Sequence, residues 1–333
     1  MRRVLVIKTT SMGDLVHTLP AVDDLLHHHP RAQVDWLVET PFAAIAALHP
    51  GVSRVICQSW RQWRRALGRR ATWRAIADTR RELRAMHYDR VIDFQGLAKS
   101  AAWALQARGH RVGYGLGSSR EAVASLCYHQ RVAVPRGMQA VERNRRLMAA
   151  ALGLSFDSSR AARFGLSMPA VGPWQPTGQP YAVLMPCASR ASKQWPLPLW
   201  QEIAGQLRAA GMQLVVLWGT PAEAALAEQL ASPHGGLVPP RLSVAACAPL
   251  IARASLAVGL DTGFVHLAAA FGLPTVGLYC DHDPRLAGLT GPASGWVFSL
   301  GGKGQMPALE DVQLAVDQAV ELALYSSSTQ RGG

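Results

Sequence analysis

Short apolar runs alternate with stretches of helical spacing along this chain, and the alternation breaks once. In the first half, Val4–Ile7, Val34–Val38, Arg54–Cys57, Arg90–Phe94 and Arg111–Tyr114 read as strands. Val4 to Ile7 is an unbroken β-branched and aliphatic run, the pattern of a strand buried on both faces. Leu15, Val16, Leu19, Val22 and Leu26 then recur at roughly helical spacing. Further helices are expected at Pro41–Leu48, through most of Trp60–Arg84, and at Leu97–Gln106, Arg120–Cys127 and Met138–Leu152. Such alternation is the mark of an α/β fold with a mostly parallel, doubly wound sheet.

The stretch from Leu154 to Pro180 interrupts the pattern with Pro169, Pro173, Pro176 and Pro180 among Gly and Ser, and reads as a linker with little regular structure. The alternation then restarts. Strands are expected at Tyr181–Met185, Gln213–Trp218, Ser255–Gly259 and Thr275–Tyr279, with helices at Leu197–Ala210, Pro221–Leu230, Ser243–Ala252, Phe264–Phe271 and Leu309–Leu324. The expected organisation is a Rossmann-like domain over residues 1–153, a linker over 154–180 and a second Rossmann-like domain over 181–308. A C-terminal helix over 309–325 and a disordered tail over 326–333 follow. Two such halves imply a ligand cleft between them.

Composition narrows the function classes. The 333 residues suffice for two cores of ordinary size. Lys and Arg number 34 against 22 Asp and Glu, a net charge of +12 that favours phosphates, nucleic acid or an anionic membrane leaflet. Cys57, Cys127, Cys187, Cys247 and Cys280 are scattered and form no C-x-x-C pair, which argues against zinc and against a disulfide framework and fits a reducing cytoplasm. No apolar run reaches spanning length, and the N-terminal run stops at Lys8, too short for a signal peptide. His27-His28-His29 is not a metal site, because adjacent side chains point apart. Gly113-Tyr114-Gly115-Leu116-Gly117 lacks dinucleotide-binding spacing.

The chemistry-bearing residues fall where strands end. In open α/β sheets ligands collect at the carboxyl ends of the strands. Asp14 follows the first strand and suits a catalytic base there; helix capping is the ordinary alternative. Gly259-Leu260-Asp261-Thr262-Gly263-Phe264-Val265-His266 runs from a strand into a helix start, where free N–H groups and the helix dipole hold phosphate. There Asp261 or Thr262 can equally serve as a cap, with His266 packed on the sheet. Ser189 and Lys193 lie in a polar loop at the same sheet edge and suit a diphosphate; a solvated loop stapled by Trp195-Pro196 is the plain alternative. Glu223 can meet a ribose hydroxyl or serve as an ordinary first-turn acid. Gln95 and Lys99 sit at a strand end as Asp14 does. The run from Trp60 to Arg74 interleaves Trp and Arg in a way that suits lipid headgroups or an anionic sugar, or else a solvated helix face with its tryptophans in the core.

Taken together these segments resemble the lipopolysaccharide heptosyltransferases of glycosyltransferase family 9, and most closely its type I branch, over almost the whole chain. The markers are Lys8-Thr9-Thr10-Ser11-Met12-Gly13-Asp14 with His17-Thr18-Leu19-Pro20, Val91 to Ser100, Ala140-Val141-Glu142-Arg143, Lys193-Gln194-Trp195-Pro196, Trp218-Gly219, and Asp261-Thr262-Gly263 with His266. The resemblance implies a GT-B fold and inverting transfer of heptose from ADP-heptose to the Kdo part of Kdo–lipid A. It implies no obligatory metal, no further cofactor, and a peripheral place on the cytoplasmic face of the inner membrane. It implies Asp14 as general base and Ser189, Lys193, Glu223, Asp261, Thr262, Gly263 and His266 as donor-binding. Thr10, Ser11, Gly13, Arg61, Arg64, Gln95, Lys99 and Arg120 fall to the anionic acceptor. The family's paired threonines of the phosphate loop stand here as Ala188-Ser189. A type II heptosyltransferase or another GT-B transferase with a different acceptor is the nearest competitor. A non-catalytic nucleotide or nucleic-acid binding module is the competitor from another class. The clustering of Asp14 and phosphate-type loops at strand ends weighs against nucleic acid as a partner.

Overall fold

The structure is a computed structural model that describes residues 1–177, 180–292 and 295–331. The chain divides into two compact units, Met1–Ser167 and Met168–Gly333.

The first unit is built on six parallel strands: β1 (Arg3–Ile7), β2 (Gln33–Glu39), β3 (Val52–Gln58), β4 (His87–Asp93), β5 (Arg108–Tyr114) and β6 (Gln130–Val132). Their order is β3-β2-β1-β4-β5-β6, the dinucleotide-fold order that reverses direction between β1 and β4. Val4 to Ile7 are wholly buried, as a central parallel strand requires. The helices are α1 (Met12–Val16), α2 (Leu19–His28), α3 (Ala43–Ala47), α4 (Trp60–Trp63), α5 (Arg70–Arg84), α6 (Ala98–Ala104) and α7 (Ala140–Leu152). Expected helices differ in three places. The first breaks after Val16 and restarts at Leu19, with Pro20 in its first turn where a missing N–H costs nothing. Trp60–Arg84 is two helices parted by a turn at Ala66–Arg69 around Gly68. The stretch near Arg120–Cys127 is a 3₁₀ segment, Ala122–Cys127.

The second unit carries β7 (Tyr181–Met185), β8 (Gln213–Val216), β9 (Leu256–Leu260), β10 (Thr275–Tyr279) and β11 (Val297–Gly301). All pairs are parallel in the order β11-β10-β9-β7-β8. Counted from its first strand this is 2-1-3-4-5, the other common doubly wound order, which reverses between β7 and β9. Gly259 of β9 lies opposite Met185 of β7; a Cβ there would come within 2.9 Å of the Met185 Cβ, so the close approach needs glycine. Helices α8 (Leu197–Ala209), α9 (Pro221–Ala231), α10 (Val244–Ala252), α11 (Gly263–Ala270), α12 (Pro284–Ala287) and α13 (Leu309–Arg331) complete the unit. Trp200, Ile203 and Leu207 of α8 and Val312, Val316 and Ala319 of α13 share one core with Leu214, Val258 and Val276.

β6, β11 and α12 were not expected; they are short, and neither strand is fully buried. No helix or strand occurs between Gly153 and Tyr181 among the described residues. α13 runs to Arg331 through much of the expected tail, since extending a formed helix costs far less than starting one. Residues 332–333 of that tail lie outside the described residues.

Candidate functional site

Each sheet reverses at a pair of neighbouring strands, and the loops leaving those strands diverge there. In the first unit these are the loops after β1 and β4, and two side chains lace them together while a third shapes the β4 turn. Lys8 is buried, and its Nζ donates to the Phe94 carbonyl at 3.0 Å. Gln95 sends its Oε1 back to accept from the Thr9 and Thr10 N–H groups, each at 3.1 Å. Asp93 is wholly buried and shapes its own turn: Oδ1 accepts from the Gln95 and Gly96 N–H groups at 2.8 and 3.2 Å, and Oδ2 from the Tyr128 hydroxyl at 2.7 Å. Burial still pushes the Asp93 pKa up, against those hydrogen bonds. Gly96 has φ 63°, which a side chain rarely adopts.

Asp14 stands over this reversal point. Ser11 is the N-cap of α1, so Asp14 is the third residue of the helix rather than its cap. Its Oδ2 accepts from the Ser11 N–H at 2.9 Å and the Ser11 hydroxyl at 3.0 Å. Its Oδ1 is 3.5 Å from the Lys8 Nζ, and 31% of the side chain meets solvent. Burial acts to raise the Asp14 pKa, but the Lys8 charge, the Ser11 N–H, His17 and Arg120 outweigh it and hold the carboxyl below the usual range. Capping and partial exposure of the carboxylate therefore coexist. Burial pulls the Lys8 ammonium down from its ordinary pKa, opposed by Asp14 and reinforced by Arg120.

The residues expected to meet an acceptor spread along the same sheet edge. Ser11 is exposed, Gly13 and Lys99 are half-buried, and Thr10 is buried. Arg120 is exposed on the loop packed over Gly96, where its charge reaches both Lys8 and Asp14. Arg61 and Arg64 are exposed at α4. The Arg61 N–H is held by the Glu39 Oε1 at 2.8 Å at the end of β2, and its guanidinium lies over the Phe42 ring. Gln95 is buried, and its side-chain carbonyl is spent on the Thr9-Thr10 backbone, so at least that oxygen shapes the loop.

The second unit repeats the device. Lys193 follows β7, and its Nζ pairs with the Asp261 Oδ2 after β9, bridging the loops at that sheet's reversal point. His266 Nε2 is 3.4 Å from the Asp261 Oδ1. Burial would raise the Asp261 pKa, but hydrogen bonds from His266 and Lys193 and their nearby charges hold it below the usual range. Thr262 is the N-cap of α11, with Gly263 opening the helix. Its Oγ1 is buried and makes no hydrogen bond, an unspent donor beside a helix N-terminus. Ser189 is exposed on the β7 loop. That loop is tied down by Gln194 Nε2, which donates to the Ala188 carbonyl at 2.9 Å, and by the Trp195 indole, which donates to Pro307.

Glu223 Oε2 accepts from the Gly219 and Thr220 N–H groups at 2.9 and 2.8 Å, closing a reciprocal cap with Thr220 on α9. A ribose could reach only what that cap leaves. Sequence reasoning assigned no role to Lys8, Asp93 or Tyr128; a lysine ending a fully buried strand was the available signal for the first. Among the described residues no group of three or more His, Cys, Asp or Glu side chains is placed to hold a metal ion.

Against this geometry, the chain matches the family model described as glycosyltransferase family 9 (heptosyltransferase) over residues 76–313. It is 38% identical to lipopolysaccharide heptosyltransferase 1 of Salmonella typhimurium, across 86% of this chain and 90% of that protein. It is 39% identical to the protein of the same name from Pseudomonas aeruginosa, across 87% and 81%. Among solved structures it resembles the Escherichia coli heptosyltransferase WaaC with ADP, at TM-score 0.85 and 34% identity over 96% of this chain and 99% of that one. The two doubly wound units are those of a GT-B fold, and the chain belongs to glycosyltransferase family 9, the heptosyltransferases.

Proposed function

We propose that this chain is an inverting lipopolysaccharide heptosyltransferase of the type I branch. It moves L-glycero-D-manno-heptose from ADP-heptose to the Kdo of Kdo–lipid A, with Asp14 as the base. The reaction class is supported by identity with proteins named lipopolysaccharide heptosyltransferase 1 along most of the chain. The donor is supported by the likeness to WaaC with ADP and to WaaC with ADP-2-deoxy-2-fluoro heptose. The likeness to E. coli heptosyltransferase II, at 22% identity and TM-score 0.71, speaks to fold alone, which favours type I.

The observation that carries the mechanism is the part-exposed Asp14 carboxylate, set 3.5 Å from the Lys8 Nζ at the reversal point of the first sheet. In this reading the N-terminal unit takes the acceptor and the C-terminal unit the donor. A Kdo hydroxyl gives its proton to Asp14 as its oxygen attacks the anomeric carbon. The bond from that carbon to the diphosphate oxygen breaks, and its electron pair leaves with ADP. The sugar passes through an oxocarbenium-like state. The leaving diphosphate meets Lys193, Ser189, the Thr262 hydroxyl and the N–H groups opening α11, donors that are in place before charge develops. A carboxylate with a depressed pKa is a weak base in the empty protein. An anionic acceptor settling against Lys8 and Arg120 offsets the cations that depress it, which raises its basicity when the hydroxyl is in place. Arg61, Arg64, Lys99 and Arg120 supply the positive edge for the acceptor's carboxylates. The proposed location is the cytoplasmic face of the inner membrane, against an anionic surface.

The test is ADP release from ADP-heptose with and without deacylated Kdo–lipid A, on the wild type and Asp14→Asn. Release that depends on the acceptor and is lost in the variant supports the reading. A fully active Asn variant removes Asp14 from the chemistry.

A further inference from the structure

Helices α4, α5 and α6 and the 3₁₀ segment Ala122–Cys127 all pack on one face of the first sheet. They share a core with Leu5, Ile7, Leu37, Ile56 and Val91, to which they contribute Trp63, Leu83, Trp103 and Ala124. The outward side of that layer is unusual. Among the described residues, the large apolar side chains that this unit leaves exposed are concentrated there: Leu67, Trp73, Leu105, Val123 and Leu126, with only Leu116 and Leu154 elsewhere. Trp73 is 58% exposed and Leu126 62%. In a 3₁₀ segment residues three apart eclipse, so Val123 and Leu126 present one apolar edge while Ala124 and Ser125 face inward.

The exposed residues are held out rigidly. The Trp73 indole donates to the Leu67 carbonyl at 2.7 Å, and the Thr72 hydroxyl to the Ala66 carbonyl at 2.8 Å. These bonds fold the turn before α5 back on the helix and set Leu67 beside Trp73. Around this ridge lies concentrated positive charge: six arginines and no acidic residue between Trp60 and Arg74, with Asp78 and Glu82 further along α5 and Glu121 before the 3₁₀ segment. α5 turns Thr72, Ile76, Thr79 and Leu83 to the core and Arg70, Arg74 and Arg80 to the outside.

An amphipathic indole, branched apolar tips and arginines on one rigid layer are the chemistry of a bilayer interface, where the apolar groups sit below the phosphates and the guanidiniums level with them. We propose that this layer, led by Leu67 and Trp73 with Val123 and Leu126 behind, is the face by which the protein docks on an anionic phospholipid bilayer. The inference deepens the membrane surface proposed above and rests on that reading. Among the described residues no helix is long and apolar enough to cross a membrane, so attachment by a surface of this kind is reversible. Each basic residue near an anionic leaflet changes partitioning by about fivefold, and the effect fades with salt. Nucleic acid would use the arginines and leave the apolar ridge in water.

The experiment is co-sedimentation of the full chain with vesicles that contain no acceptor, either phosphatidylcholine alone or phosphatidylcholine with phosphatidylglycerol. The wild type is expected on the phosphatidylglycerol vesicles, released by salt, with its tryptophan emission quenched by brominated lipid. The double variant Leu67→Ser, Trp73→Ser should lose at least tenfold in partitioning and most of the quenching. Both positions are exposed, and the Thr72–Ala66 bond still holds the turn when the indole bond is lost, so the thermal midpoint should fall by a few degrees at most and turnover on deacylated, water-soluble acceptor should stay as in the wild type. Leu154→Ser is the control and should leave partitioning unchanged. Absence of binding to anionic vesicles, binding undiminished in the double variant, or stronger binding to a plain oligonucleotide than to vesicles overturns the docking face. Loss of soluble turnover in the wild type itself would instead overturn the assigned reaction.

Discussion

Lys8→Met tests the reasoning about Asp14 most directly. Two opposite charges 3.5 Å apart at an effective dielectric of about 20 attract by roughly 5 kcal/mol, and keeping a buried ammonium from water costs several kcal/mol in return. The thioether removes both terms and fills about the same space, while the lost Nζ bond to the Phe94 carbonyl costs about 1 kcal/mol. Asp14 is not stranded, because it keeps both Ser11 hydrogen bonds and part of its surface in water. The stability of the variant should therefore lie within about 2 kcal/mol of the wild type. Its pH dependence should move. The folded-state pKa of Asp14 is depressed, so the ionised base is present above it and lost as pH falls through it. Burial alone would raise that pKa; of the charges facing it, Lys8 contributes most to the lowering, with His17 and Arg120 behind. Without Lys8 the acid limb of kcat/KM must shift to higher pH, while Lys8→Arg, which keeps the charge, holds it low. The assay is acceptor-dependent ADP release across the acidic range, with urea unfolding of both variants alongside. An acid limb that stays put in Lys8→Met, with the fold intact, would refute the account of how Asp14 is kept ionised.

Asp14→Asn should keep ADP-heptose affinity, read by calorimetry, and lose about 10²–10⁴ in turnover, the usual worth of a general base. Lys193→Met should lose on the order of a hundredfold in kcat/KM, and tritium-labelled donor binding should weaken with it; unchanged donor affinity would separate Lys193 from the diphosphate. Tyr128→Phe removes the hydroxyl bonded to a buried Asp93 oxygen and should destabilise the chain by about 1–3 kcal/mol. Burial already raises the folded Asp93 pKa, so its ionised form costs stability as pH rises through that value. The Tyr128→Phe deficit should accordingly be larger at neutral pH than in mild acid when urea midpoints are compared. Gly96→Ala forces a side chain into a left-handed turn and should cost about 1 kcal/mol or more in the same assay.

What was legible in the sequence follows from how each residue is used. Val4–Ile7, Val34–Val38, Tyr181–Met185 and Thr275–Tyr279 declare themselves because a central parallel strand is apolar on both faces. Gln130–Val132 and Val297–Gly301 do not, being edge strands that need only one neighbour and are partly wet. The loops at the reversal points could be found from Asp14, Lys193 and Asp261 because polar residues that follow a buried strand end are conspicuous. Their internal division of labour could not. Whether a glutamine faces a ligand or turns back onto two backbone N–H groups depends on a rotamer and on the neighbouring loop, and Gln95 turned back. For Glu223 the reciprocal cap with Thr220 is local, and Thr-x-x-Glu marks it in the sequence. Asp14 was expected to be either a cap or a base; from three residues inside the helix its Oδ2 caps Ser11, while its Oδ1 lies beside Lys8.

The lysine that stitches each sheet's reversal point has a modular consequence. Lys8 is anchored to Phe94 and Asp14, and Lys193 to Asp261, all within their own halves of the polypeptide. Among the described residues the anchors named for each clasp lie in its own half, so a chimera that grafts residues 1–167 of a homologue onto residues 168–333 of this chain should inherit its nucleotide-sugar affinity from one parent and its choice of sugar acceptor from the other.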